Sequence, residues 1–135
     1  MSTLPLLIRV PVSTRWGDMD AFNHVNNSVY STYLEEARLR WFASIEGGWT
    51  DGDAAPVIAG MKIDFRRPVK WPAELIVELY VGRIGARSLT LPFRMIDRGD
   101  EAIVYAEGDS VLVWTSPATG SSLALPEHVR RAVTL

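Results

Sequence analysis

The chain has 135 residues, the length of one ordinary domain, and 47% of them are hydrophobic, which is enough to form a core. The absence of cysteine excludes disulfides, thiolate metal ligands and a cysteine nucleophile. The net charge of −2 and the scattered basic residues are unlike those of a nucleic-acid-binding protein, so nucleic acid is not an expected partner. No segment resembles a secretory signal or approaches the roughly 18 consecutive apolar residues of a membrane span, and we expect a cytoplasmic protein that does not act at a membrane.

The first part of the chain predicts one strand and one long helix. Apolar residues alternate from Leu4 to Thr14, which is typical of a strand. From about Asn27 to Glu46 they recur at three- and four-residue spacing, which predicts a helix of about 30 Å. Asn26 is the expected N-cap, and Gly47-Gly48 ends the helix.

After a loop, the hydrophobic period falls to two and predicts four further strands, followed by a short terminal helix. These elements are predicted at Val57 to Phe65, Leu75 to Val81, Leu89 to Met95, Ala102 to Thr115 and Pro126 to Val133. One long helix before an antiparallel meander is an α+β plan. The apolar positions of the helix exceed a narrow stripe, so a curved sheet is expected to wrap round it. Residues 1–135 are predicted to form a single domain.

Polar side chains are concentrated between Gly17 and Asn27, directly before the long helix. A carboxylate there can attack a carbonyl group or activate water, and free N–H groups at a helix N-terminus can stabilise the developing oxyanion. The candidates are Asp18, Asp20, Asn23, His24, Asn26 and Asn27. From the residues alone, turn and capping roles remain open, and a hydrogen-bonded structural role is the default for His24.

The spacing of polar residues also bears on metal and phosphate sites. The acidic segment does not fit the twelve-residue calcium loop, because Asn23 and Val29 stand where glycine and glutamate belong, so no metal site is expected. The segment from Gly82 to Ser88 is either an ordinary turn or a phosphate contact. His128, in the terminal helix, is expected to face solvent.

The segment from Arg15 to Asn27 resembles the hotdog-fold acyl-CoA thioesterases of the 4-hydroxybenzoyl-CoA thioesterase type, and most closely their long-chain acyl-CoA branch. The motif that carries the resemblance is Asp-Met-Asp followed by His-Val-Asn-Asn. The helix residues from Tyr30 to Arg38, the strand from Ile63 to Val69 and the segment Arg83-Ile84-Gly85 with Ser88 are also similar. The likeness covers residues from about 6 to 115.

This resemblance implies a five-stranded antiparallel sheet wrapped round the helix, assembled as a homodimer or homotetramer with sites at the dimer interface. It implies that Asp20 is catalytic and that the N–H near Asn27 binds the thioester oxygen. It also implies that basic and loop groups corresponding to Arg87 and Ser88 hold the phosphates of coenzyme A. His24 and Asn26 are predicted substrate contacts.

The implied function is hydrolysis of an acyl-CoA thioester, with no cofactor apart from the coenzyme A that forms part of the substrate. Asp20 acts as nucleophile or as general base for water. A carrier-protein thioester is the alternative substrate, and a hotdog domain that binds acyl groups without turnover is the alternative function. Phe22-Asn23-His24 stands where the hydroxybenzoyl-CoA enzymes have a glycine-containing segment, which leaves the acyl group open.

An oligomer is also expected from the residues. The last long strand, Ala102 to Thr115, is apolar on both faces, and a monomer would expose too much of that surface.

Overall fold

The computed structural model describes residues 3–50 and 52–135. The elements in chain order are β1 (Leu6–Ser13), α1 (Val29–Ser44), β2 (Ala55–Phe65), β3 (Glu74–Tyr80), β4 (Ser88–Asp97), β5 (Val104–Thr115), β6 (Ser122–Leu123) and α2 (Glu127–Val133). The α+β class and all five predicted strands are confirmed. The two-residue β6 was not predicted because it is too short to show a period. None of the described helices has the length and apolar character needed to cross a membrane.

The five long strands form one antiparallel sheet in the order β1-β3-β4-β5-β2, and β6 pairs with the end of β5. The strands β3, β4 and β5 follow one another as the predicted meander. The prediction is wrong for β2, which pairs with β5 rather than with β3. The connection over residues 66–73 contains two prolines and is too long for a tight hairpin, so β2 can occupy the far edge of the sheet.

Helix α1 packs one wide face against the sheet. Its buried positions recur as pairs four residues apart, namely Tyr33 and Leu34, Ala37 and Arg38, and Trp41 and Phe42, with Tyr30 in the first turn. This spacing places them on one side of an α-helix, where each large apolar side chain contributes roughly 1.5–3 kcal/mol by leaving water. The wide apolar face that the sequence predicts therefore packs against one side of the sheet.

The start of α1 differs from the prediction. The helix begins at Val29, its N-cap residue is Ser28, and no side chain caps it. Asn26, the predicted N-cap, instead accepts hydrogen bonds on Oδ1 from Ser28 N (3.0 Å) and Ser28 Oγ (2.9 Å). Asparagine readily closes such a local turn two residues ahead, which competes with capping. The helix is consequently preceded by a short ordered turn.

The exposed apolar strand is β2, not the last long strand. β5 begins at Val104 and lies between β4 and β2, so its neighbours cover much of its apolar surface and bury Leu112 and Trp114. The edge strand β2 exposes Val57, Ile58, Met61 and Phe65, each with 37–47% of its surface accessible. The exposed apolar surface expected on the last long strand therefore lies on β2 instead, and the oligomer stays a prediction.

Gly108 marks the closest approach of β5 to β2. A Cβ atom on this residue would lie 1.9 Å from the carbonyl oxygen of Lys62, which is backbone and cannot rotate away. Glycine is required here because the neighbouring strand occupies the side-chain position. The pairing of these two strands, which carries β2 to the edge, depends on this missing atom.

We expect Gly108→Ala to lower the free energy of unfolding by about 3 kcal/mol, because the two strands must separate to admit the methyl group. Gly17→Ala is the matched control, since a Cβ at Gly17 would meet nothing within 4 Å. Urea denaturation, monitored by circular dichroism, measures the stability of both variants. Equal midpoints for the two variants would contradict the close strand contact.

Candidate active site

A buried carboxylate holds the loop that precedes α1. Asp18 is 3% exposed and accepts hydrogen bonds from Arg15 N (3.0 Å), from the Arg15 guanidinium (2.8 Å) and from the Tyr33 hydroxyl (2.7 Å). Burial alone would raise the pKa of Asp18, but these hydrogen bonds outweigh it and hold the pKa below its ordinary value. Burial and the Asp18 carboxylate together raise the pKa of Tyr33. Both oxygens of Asp18 are thus committed to fixing the loop on the helix.

The next aspartate lies in a tight loop closed by the Met19–Val25 bridge. Asp20 N donates to His24 O (2.8 Å), and Asp20 Oδ1 accepts from Phe22 N (2.8 Å) and His24 N (3.2 Å). Asn23 has a φ of 57°, in the left-handed region that asparagine tolerates better than most residues. In the described part of the chain, Asp20 Oδ2 receives no hydrogen bond. One carboxylate oxygen is therefore held and the other is available.

The residues between this loop and α1 differ in whether their backbone N–H groups are hydrogen-bonded. Asn26 N donates to Asp18 O (2.9 Å), and Val29 N donates to Asn26 O (2.8 Å). Across residues 3–50 and 52–135, no acceptor is found for the N–H of Asn27. A free N–H at the start of a helix, where the dipole is positive, is suited to an oxygen that gains negative charge.

The residues that carry these groups line a small cavity of about 210 Å³. Three predicted site residues line it together: Asp20, His24 and Asn27. Asn26 does not line it, because its side-chain oxygen is engaged by Ser28. The remaining lining residues are Val25, Tyr30, Phe65, Arg66, Arg67 and Pro68.

Sequence reasoning did not place most of those further residues in the site. The helical spacing predicts Tyr30 in the core, and it is 2% exposed with its ring 5.0 Å from that of Phe65 in an edge-to-face contact. The sequence predicts Arg66 on the second face of the strand that contains Phe65, and Arg67 and Pro68 in the turn that follows. Only the antiparallel return of β2 beside β5 brings that turn to the start of α1, and no local pattern encodes it.

The two predicted phosphate-binding residues lie elsewhere in the same chain. Ser88 pairs with Val113 of β5, which in turn pairs with Val57 at the beginning of β2. Arg87 Nη1 donates to Ser122 Oγ (2.9 Å). Phe65, which lines the Asp20 cavity, is at the opposite end of β2, about 26 Å away at strand spacing. One chain alone does not bring Arg87 and Ser88 to Asp20, and their role stays a prediction.

Two other observations concern sites away from Asp20. No group of three or more histidine, aspartate or glutamate side chains is arranged to hold a metal ion within the described ranges. The prediction that His128 faces solvent is wrong: its ring is half-buried, and a Cβ on Gly47 would lie 3.2 Å from its Cδ2. The segment after α1 covers this histidine at Gly47, whose φ is 90°.

A helix laid across an antiparallel sheet, with an ordered acidic loop at its N-terminus, defines the class as a hotdog-type α+β protein. Residues 14–133 match the Thioesterase-like superfamily, and the chain belongs to that family. The predicted fold family and the predicted enzyme class, a thioester hydrolase, are confirmed.

Solved structures from three bacteria support the assignment. The PA2801 protein of Pseudomonas aeruginosa, a proposed thioesterase, is 39% identical with a TM-score of 0.89, covering 96% of this chain and 99% of its own. A proposed acyl-CoA thioesterase of Xanthomonas campestris is 43% identical with a TM-score of 0.79, covering 88% and 98%. A Thermus thermophilus thioesterase, solved with coenzyme A and Zn, is 34% identical with a TM-score of 0.79, covering 98% and 94%.

We expect Asp18→Asn to lower the free energy of unfolding at neutral pH by about 2 kcal/mol, because the charged acceptor of a buried network is lost. The folded pKa of Asp18 lies below its model-peptide value of 3.8, so this stabilisation is present above that value and is lost as the pH falls through the folded pKa. The difference in Tm between wild type and variant should therefore narrow as the pH is lowered.

Thermal unfolding between about pH 6 and about pH 3 tests this expectation. Asp53→Asn, at an exposed loop residue, is the control and should follow the wild-type profile. A difference in Tm between wild type and Asp18→Asn that does not change with pH would refute a charged role for this residue.

Proposed function

We propose that this protein hydrolyses acyl-CoA thioesters to a carboxylic acid and free coenzyme A, with Asp20 as the catalytic residue. The observation that carries the proposal is the state of its carboxylate. Oδ1 is fixed by the N–H groups of Phe22 and His24, whereas Oδ2 has no partner among the described residues, and Asp20 lines one cavity together with Asn27. The names of the Xanthomonas and Thermus relatives point to the same kind of substrate.

Two routes are consistent with this arrangement. In the first, Asp20 Oδ2 attacks the thioester carbon, the carbon–sulfur bond breaks, and water then hydrolyses the mixed anhydride. In the second, Oδ2 takes a proton from a water molecule whose oxygen attacks the same carbon, and the thiolate leaves. In both routes the Asn27 N–H donates to the carbonyl oxygen as it becomes negative, and the leaving sulfur ends as a thiol.

The two predicted substrate contacts, His24 and Asn26, differ in whether they line the cavity. The half-buried His24 ring lines the cavity and is proposed to contact the substrate. Asn26 stays a predicted substrate contact, but its carbonyl and side-chain oxygens are already used to order the turn before α1. Asn26 therefore supports the site at least by positioning Asn27.

The cavity of about 210 Å³ is smaller than the roughly 300–1,000 Å³ of ordinary ligand pockets, so the substrate needs further walls. We propose that a second copy supplies them by pairing along the apolar edge strand β2. If two such edges run antiparallel, the Val57 end of one copy lies beside the Phe65 end of the other. Arg87 and Ser88, which lie level with Val57, would then approach the partner's Asp20 cavity.

We expect Asp20→Asn to lower kcat about 1,000-fold without a change in Tm, because the amide oxygen can still accept the two backbone hydrogen bonds but cannot attack or take a proton. Free-thiol release from a panel of acyl-CoA and acyl-carrier-protein thioesters measures the rate and identifies the preferred donor. Asp53→Asn is the matched control. A rate for Asp20→Asn within a few-fold of wild type would remove Asp20 from the chemistry.

Trapping separates the two routes. Hydroxylamine added during turnover converts an anhydride at Asp20 into a hydroxamate that mass spectrometry of the peptide detects. Such a modification identifies the nucleophilic route. An unmodified peptide, together with no acylated Asp20 in rapidly quenched single-turnover reactions, favours the general-base route.

We expect Met61→Glu to convert a dimer into a monomer and to lower activity at least tenfold, because a carboxylate on an apolar edge cannot be buried without a partner. Light scattering and the thiol-release assay, run at one protein concentration, measure both effects. Leu39→Glu, at an exposed apolar position on α1, is the control. A wild-type monomer with full activity would exclude the shared site.

A further inference from the structure

A second cavity, of about 790 Å³, lies where the end of α1 faces α2, and it shares no lining residue with the Asp20 cavity. Its volume is within the range of pockets that hold small ligands. Because α1 has 16 residues, the cavity lies about 24 Å along the helix from the end that adjoins Asp20. The apolar wall comes from β1, from the end of α1 and from α2, and consists of Leu7, Trp41, Ile45 and Ala132.

The α1 side of this cavity presents hydrogen-bond acceptors. Ser44 Oγ donates its hydrogen to Trp41 O (2.6 Å), so the lone pairs of this hydroxyl are what remains for a ligand. Glu46, directly after α1, is exposed and forms no ion pair within residues 3–50 and 52–135. The helix dipole is also negative at this end. A positively charged group is therefore favoured beside Ser44 and Glu46.

The α2 side presents hydrogen-bond donors. His128 and Arg131 are three residues apart and both line the cavity, which places them on one face of the helix. In the described part of the chain, the Arg131 guanidinium forms no ion pair and the buried His128 Nε2 has no hydrogen-bond partner. A neutral imidazole carries one N–H, and placing it on Nδ1 leaves no buried donor unsatisfied. The Arg131 guanidinium and the Nδ1–H of His128 together suit a carboxylate.

We propose that this cavity binds a free amino acid with an apolar side chain. The ammonium group is held from the α1 side, by Ser44 and Glu46. The carboxylate is held from the α2 side, by His128 and Arg131, and the side chain lies against the apolar wall. A zwitterion pairs with both lining charges, whereas a monocarboxylate leaves Glu46 unpaired and a simple amine leaves Arg131 unpaired. The site does not depend on cleavage of a thioester.

Calorimetric titration with three matched compounds tests the class of ligand. L-Phenylalanine carries both charges, 3-phenylpropanoate lacks the ammonium group, and 2-phenylethylamine lacks the carboxylate. We expect L-phenylalanine to bind at least about tenfold more tightly than either, because it alone pairs with charges of both signs. Equal or tighter binding of one of the other two compounds, or no binding of L-phenylalanine at millimolar concentration, would overturn the proposal.

Single substitutions locate the bound amino acid. We expect Glu46→Gln and Arg131→Gln each to weaken the binding of L-phenylalanine about tenfold, because each removes one charge that the zwitterion pairs with. Glu127→Gln and Arg98→Gln are the matched controls, since they remove the same charges from exposed positions that do not line the cavity. An unchanged affinity in Glu46→Gln and Arg131→Gln, or an equal loss in the controls, would refute the assignment to this cavity.

Nitrogen NMR of the protein labelled with ¹⁵N-histidine follows the His128 ring directly. The chain has two histidines, so the spectrum of His24→Gln assigns the signals of both. We expect the free protein to show His128 protonated on Nδ1, and L-phenylalanine to shift that signal while leaving His24 unchanged. A shift confined to His24, which lines the Asp20 cavity, would place the amino acid there instead. An unaltered His128 signal at saturation would exclude the proposed carboxylate contact.

Discussion

The buried carboxylate of Asp18 is the interaction on which the rest of the site depends. It joins the backbone and guanidinium of Arg15 to the hydroxyl of Tyr33 on α1, and the Asp18 carbonyl accepts from Asn26 N. A buried charge is tolerated only when such partners surround it. Because they come from both sides of the Asp20 loop, the loop cannot move relative to the helix without breaking several charged hydrogen bonds.

This anchor explains why two aspartates of one motif differ. Asp18 has donors on both oxygens, so its charge is stabilised and its chemistry is suppressed. Among the described residues, Asp20 has donors on one oxygen only, which fixes the direction of the carboxylate and leaves the other oxygen without a partner there. The difference between the two aspartates comes from the hydrogen-bond donors around each carboxylate, and not from the residue type. A chemical role requires an unpaired group, and the structure leaves one at Asp20.

The sequence allowed α1, the five strands and the Asp20 segment to be predicted because each has a local signal. The helical spacing of the apolar positions from Tyr30 to Trp41 and the alternation in the strands can both be recognised in the sequence alone. The position of β2 at the sheet edge has no such signal, since its alternation is the same whether it pairs with β3 or β5. The contributions of Phe65 and Arg67 to the site follow from that pairing and could not be read from the chain.

The edge position of β2 has two consequences that cannot be separated. Its pairing with β5 carries Phe65 and the following arginines to the lining of the Asp20 cavity, while none of the described strands pairs with its other side. An exposed apolar edge strand can pair with a strand of a second chain. The strand that completes the cavity in one chain is thus the strand available for assembly, and the Gly108 contact that holds β2 in place supports both. Substrate binding and association are therefore expected to be coupled through β2.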